Sequence, residues 1–295
     1  MKVEIECMSC IAHRGYQEID EATKDVDLQF QAAKALLECL AKEFSPLAVA
    51  ALLGTSRDRI IKKITGNSDI YAKKKRRSNK EAMKLIPAIM EEIRKEKSRE
   101  GRFRKACLAA IVGNIIEFDI PGHEVDFAKM TLWLKDAERD LAIDHIPEIF
   151  KEVEDASTVL YLTDNAGEIA FDKLLVCELK KLGPRIIVAV KGGPILNDAT
   201  LEDAQAVSMY KVADSIITTG ADAVGLPLPE EQSEEFSRIY GKTDLVVAKG
   251  MGYAETLTEI ELLQPHAFLL RTKCSPVARY FRVERGKNIA KLVRP

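Results

Sequence analysis

The sequence predicts an α/β fold, a mostly parallel β-sheet flanked by helices and preceded by an all-helical domain. Three observations carry that prediction. From about residue 12 to 153 apolar residues recur at three- and four-residue intervals with little β-branched clustering, the period of amphipathic helices. After Ala156 short β-rich runs (TVLYL, RIIVAV, SIITT, DLVVA and AFLLR) alternate with helical stretches, as parallel strands joined by helical crossovers do. Each of those runs ends in a loop of glycines, carboxylates, amides or lysines. At 295 residues the chain can bury a full core in one large or two unequal domains. The change of pattern divides it into a helical domain, 1–153, carrying Cys7 and Cys10, and an α/β domain, 154–295, whose strand-end loops hold most of the candidate site residues.

Local signals place the elements in order. Ser45-Pro46 offers an N-cap and an N1 proline before LAVAALL, with Gly54 as a stop, and Ser78 with Glu81 makes a capping box before AMKLIPAIMEEIRK. Helices are expected near 46–53, 56–65, 79–98 and 103–117. Pro121-Gly122 then breaks the chain before an amphipathic stretch containing Trp133, and the helical pattern resumes to about Val153. The segment 167–182 is amphipathic and stops at Gly183. Further helices are expected at 200–209, 230–240, 255–263 and 276–282, with NIAKLV as the last strand. Met130, Trp133 and Phe150 read as core.

Composition narrows the function classes. An apolar fraction of 46%, a charged fraction of 31% and a net charge of -2 describe an ordinary globular protein and give no sign of a nucleic-acid partner. MKVEIECMSC lacks the pattern of a signal peptide, and no run approaches 18 apolar residues, so a cytoplasmic protein with no membrane partner is expected. Oligomeric state is not readable. Six scattered cysteines read as reduced thiols rather than a disulfide scaffold. Cys7 and Cys10 have motif spacing: with His13 as a candidate third ligand they are a second metal or redox site, or else thiols packed at the domain start. The run Lys73-Lys74-Lys75-Arg76-Arg77 reads first as a solvated loop; attraction for an anion and a cover over the active site are the alternatives.

In an open parallel sheet, ligands bind beyond the carboxyl ends of the strands. There TVLYL is followed by Thr163-Asp164-Asn165-Ala166-Gly167-Glu168, and RIIVAV by Lys191-Gly192-Gly193-Pro194-Ile195-Leu196-Asn197-Asp198. SIITT leads to Gly220-Ala221-Asp222, DLVVA to Lys249-Gly250-Met251-Gly252, and AFLLR to Thr272-Lys273-Cys274. Carboxylate and amide oxygens suit a hard divalent cation, and Asp164, Asn165 and Asp198 are the candidate set. Lys191, Lys249 and Lys273 bring positive charge for phosphate oxygens, while Gly192 and Gly220 let backbone amides approach an anion beside Asp222. Asn114 and Glu117 fall one helical turn apart and would face one cleft, unless Asn114 is bonded to backbone. Alone, D-N-A-G also reads as a capped turn and K-G-G-P as a tight loop. Recurrence of Asp and Lys at one end of the sheet is what a need for turns does not explain.

At these residues the chain resembles the damage-control phosphatase family, long catalogued as a domain of unknown function, in its archaeal and bacterial branch. The ordered set is C-M-S-C at 7–10, S-N at 78–79, G-N-I-I-E at 113–117, D-N-A-G-E at 164–168, K-G-G-P-I-L-N-D at 191–198, T-T-G-A-D at 218–222, K-G-M-G at 249–252 and R-T-K-C at 271–274. The resemblance implies a helical domain joined to an α/β domain and a Mn-, Ni-, Co- or Mg-dependent site that hydrolyses phosphate esters of small metabolites. It implies Asp164, Asn165 and Asp198 as ligands and Lys273 as a phosphate contact. Two departures stand out: Tyr253 where the family usually has Asn after K-G-x-G, and Glu117 where it has Asp. Attack by water is favoured over an aspartyl-phosphate at Asp164, because Asp164-Asn165 lacks the second acid of D-x-D phosphatases. The competing classes are a nucleotide- or methyl-donor-binding transferase, which wants a G-x-G-x-x-G loop that is missing, and a non-catalytic binding protein.

Overall fold

A computed structural model of the chain describes residues 1–113 and 134–295. Asn114, Glu117, Met130 and Trp133 lie outside the described residues. Five helices come first: α1 (Ile5–Ala22), α2 (Val26–Glu43), α3 (Ala50–Thr65), α4 (Ala72–Arg94) and α5 (Arg99–Gly113). Helix α2 begins where the Asp25 carboxylate accepts from the amides of Asp27 and Leu28, and α3 ends on Gly66 at a left-handed φ of 70°. Two expectations change here. Gly54 does not stop a helix; it lies inside α3 and faces Val224, whose Cγ2 would be in ordinary contact, at 3.7 Å, with a Cβ there. The basic run is not a loop but the first turns of α4, and Lys75 is buried there between Asp69 at 3.2 Å and Asp203 at 3.5 Å.

The remaining elements are β1 (Leu141–Asp144), α6 (Ile146–Asp155), β2 (Thr158–Leu162), α7 (Glu168–Leu182), β3 (Arg185–Val190), α8 (Leu201–Ala206), β4 (Ser215–Thr218), α9 (Glu234–Tyr240), β5 (Leu245–Lys249), α10 (Gly250–Leu257), β6 (His266–Arg271), α11 (Ser275–Phe281) and β7 (Asn288–Val293). They build a seven-stranded sheet in the order β1-β7-β6-β5-β2-β3-β4. Pairing is parallel throughout except between β6 and β7, so the mostly parallel sheet expected from the sequence is present. Strand β1 was not foreseen: its four residues LAID pair with β7 in a stretch whose periodicity reads as helical. Helix α10 starts directly at Gly250 rather than at 255.

Side chains alternate across the central strands, so each strand feeds two cores. Val159 and Tyr161 of β2 join Ile89, Phe103 and Phe171 from α4, α5 and α7. Leu160 and Leu162 face Phe236, Tyr253 and Phe281 from α9, α10 and α11 on the other side. The sheet is therefore covered on both faces, which explains why β5 is buried along its whole length. No described helix is long and apolar enough to cross a membrane.

Candidate functional site

Strand order reverses direction between β2 and β5: β3 and β4 follow on one side of β2, and β5 and β6 on the other. A crevice at such a switch point is the ordinary ligand site of an open α/β sheet. The loop after β2 carries Asp164 and Asn165 into it, and β5 ends beside it at Lys249-Gly250. Gly250 has a φ of 78°, and a Cβ there would overlap the Asp164 carboxylate. The chain therefore needs glycine at this point for both backbone conformation and space.

Asp198 arrives from the loop after β3. Asn165 and Asp198 form an isolated antiparallel bridge, with the Ala166 amide donating to Asn197 O at 2.9 Å and the Ala199 amide to Asp164 O at 2.8 Å. Two loops on adjacent strands are thus stitched backbone to backbone, and Asp164, Asn165 and Asp198 are brought together as the sequence anticipates. Helical residues brace the same loops. Asp58 of α3 accepts from the Leu196 amide at 3.1 Å, holding a non-glycine residue at a left-handed φ of 46°. Asn79 of α4 accepts from the Gly167 amide at 2.7 Å and donates to Asp203 Oδ1 at 2.7 Å. Sequence reasoning quoted Asn79 only as part of a motif and missed Asp58, Glu168, Asp172 and Gly250. The signals were there for Glu168 and Gly250, which sit in the strand-end loops already singled out.

Charges in the crevice are buried and crowded. Burial, with the neighbouring Glu168 and Asp198 carboxylates, pushes the Asp164 carboxyl well above the usual range, and burial likewise raises Asp198 to about 6 against the pull of Lys191. Acids packed so closely gain from a cation between them. Among the described residues no three His, Cys, Asp or Glu side chains converge as a ready cage; what the bridged loops bring together is the two carboxylates of Asp164 and Asp198 and the Asn165 carboxamide. Two carboxylates and an amide are the donor chemistry that a hard divalent ion takes.

The three lysines occupy different places. Lys191 is 1% exposed; its ammonium donates to Gly225 O at 2.6 Å, stands 3.5 Å from Asp198 Oδ2 and lies 4.1 Å over the Tyr253 ring. Lys249 is wholly buried, with Glu168 Oε1 at 2.5 Å, Asp172 Oδ1 at 2.7 Å and Ala110 O at 2.8 Å. Lys273 is exposed after β6, and its charge pulls on the Asp164 carboxyl. Gly192 packs against Gly220, with its own amide donating to Ala221 O at 2.9 Å, so these two glycines form one wall. Asp222 lies farther out, paired with Arg59 at 2.9 Å and Lys62 at 2.8 Å in an open cleft of about 790 Å³ lined also by Gly193. Cys7 is buried in the first turn of α1 and Cys10 is exposed; both are free thiols.

Known proteins resemble this chain along nearly its whole length. The model of the damage-control phosphatase ARMT1-like domain matches residues 3–289. An uncharacterized protein of Methanocaldococcus jannaschii is 38% identical over 98% of this chain and 95% of its own. A damage-control phosphatase of Archaeoglobus fulgidus is 36% identical over 99% and 100%, and one of Pyrococcus horikoshii 35% over 97% and 96%. The crystal structure of a DUF89 family protein from Pyrococcus horikoshii superimposes with a TM-score of 0.87 at 33% identity, covering 98% of each chain. The chain therefore belongs to the damage-control phosphatase ARMT1-like family.

Proposed function

We propose that this protein is a metal-dependent phosphatase acting on phosphate esters of small metabolites, phospho-sugars or damaged phosphometabolites, with a divalent Mn, Ni, Co or Mg ion held by Asp164, Asn165 and Asp198. The observation that carries the reading is the backbone bridge joining Asn165 to Asp198 at the switch point of the sheet. Such an ion, when bound, neutralises phosphate charge and makes water a better nucleophile at neutral pH. The chain's own groups do the rest. Lys273, exposed at the mouth, steadies a phosphate oxygen by its charge. The Gly192 and Gly220 wall admits the phosphate close to the backbone, and Asp222 with Arg59 and Lys62 faces the remainder of the metabolite. Lys191 supports the site from within by compensating Asp198.

Phosphate release from a panel of phospho-sugars, measured across these four metals, tests the activity. Asp198→Ala should abolish both turnover and divalent-ion binding while the fold survives. Lys273→Ala should lower kcat on the order of 10²–10³-fold, the scale of a single electrostatic donor, with ion affinity unchanged. Normal turnover by Asp198→Ala at saturating metal would remove the ligand set from the mechanism.

A further inference from the structure

Resting on the cation site just proposed, we infer that Glu168 and Lys249 are positioning residues that fix which atom of Asn165 faces the ion. A carboxamide has one end that donates and one that accepts, and an ionised carboxylate only accepts. Asn165 Nδ2 donates to Asp164 Oδ2 at 2.8 Å and to Glu168 Oε2 at 3.0 Å. Both amide hydrogens are thereby committed to carboxylates, and Oδ1 is turned to the other side, where no described residue donates to it. Rotating the amide by half a turn would set Oδ1 against two carboxylate oxygens. The oxygen that a hard cation requires is thus presented because Glu168 Oε2 stands where it accepts from Nδ2.

Glu168 is 1% exposed, so its carboxylate is held by protein groups rather than by water. Lys249 Nζ holds Oε1 at 2.5 Å, which leaves Oε2 to accept from Asn165. The lysine is itself fixed by two further acceptors, Asp172 Oδ1 and Ala110 O, which use up its three donors. Glu168 and Asp172 lie one turn apart on α7, so both carboxylates meet the same ammonium from one helix face, and Tyr161 donates to Asp172 Oδ1 at 2.7 Å. A cation at the end of β5 therefore acts through Glu168 on the orientation of Asn165. Its ammonium has no donor left for phosphate, which takes Lys249 out of the substrate contacts the sequence suggested.

The test is Mn²⁺ affinity by calorimetry on the full chain, with folding checked by thermal unfolding. Glu168→Gln keeps the shape but offers an NH₂ to either Asn165 or Lys249, forcing one of them to turn away. Affinity should fall 10–100-fold, the range seen when a group supporting a metal ligand is lost. Asn165→Asp separates orientation from simple charge. Beside native Glu168 it sets carboxylates against each other and should weaken binding, whereas in the Glu168→Gln background the new NH₂ can donate to it and affinity should recover. Should Glu168→Gln fail to fold, Glu168→Asp keeps the charge for Lys249, withdraws the acceptor from Asn165 by one methylene and should show the same loss. Wild-type affinity in the Glu168 variant, or an Asn165→Asp effect equal in both backgrounds, overturns the inference. A wild-type protein that binds no divalent ion sinks the site reading beneath it, and that failure is seen before any variant is made.

Discussion

Two groups of ion pairs border the crevice, and they use the same residue types to different ends. The inner group, Lys249 with Glu168 and Asp172, has side chains no more than 1% exposed; in the outer group Arg59 and Asp222 are 35% and 33% exposed. Attraction in the inner group is strong because water is absent, yet each charge lost its hydration to get there, so its merit is geometric fixity rather than net stability. The outer group is solvated, screened and free to exchange partners, which suits contact with a polar ligand. The difference teaches that a strand-end lysine or aspartate gains its role from depth.

The largest expected effect breaks the inner group. Lys249→Met removes one charge and leaves two buried carboxylates uncompensated, and should cost about 3–5 kcal/mol of unfolding free energy in a denaturant titration. A loss as small as that of a surface pair would show the inner group to be wet. Next comes Gly250→Ala, where a new methyl overlaps the Asp164 carboxylate and must also take a φ of 78°. A destabilisation of about 1–3 kcal/mol is expected from the backbone alone, together with loss of Mn²⁺ binding that Ala substitutions elsewhere in α10 do not show. The smallest effect sharpens the contrast: Arg59→Ala should change stability by less than about 1 kcal/mol, and less still at high salt. Its mark should instead be a raised KM for the phosphorylated substrate with kcat kept.

Depth is also what decided legibility. The runs TVLYL, RIIVAV and NIAKLV match β2, β3 and β7 residue for residue; in β2 and β3 every residue after the first is buried, and such strands announce themselves as unbroken apolar segments. The strand-end loops were legible because Gly, Asp and Lys there had no better use as turns. β1 was not: four residues of alternating burial at a sheet edge are too short to compete with the surrounding helical period. Nor could Asp58 and Asn79 be singled out as braces, since a polar residue in an amphipathic helix looks the same whether it meets solvent or a distant backbone amide. Lys249 illustrates the same blindness, for nothing local distinguishes a lysine that reaches outward from one clasped by α7.

The position of β7 has a consequence for how the chain is made. Among the described strands β1 is made first and pairs only with β7, which is made after the other six and lies between it and β6. At roughly 5–20 residues per second the interval between them on the ribosome is about seven to thirty seconds. Through that interval β1 lacks its partner strand, and once β6 has been made its edge stays open until β7 covers it. Nascent chains should therefore be most in need of a chaperone's protection after β6 emerges and before β7 does.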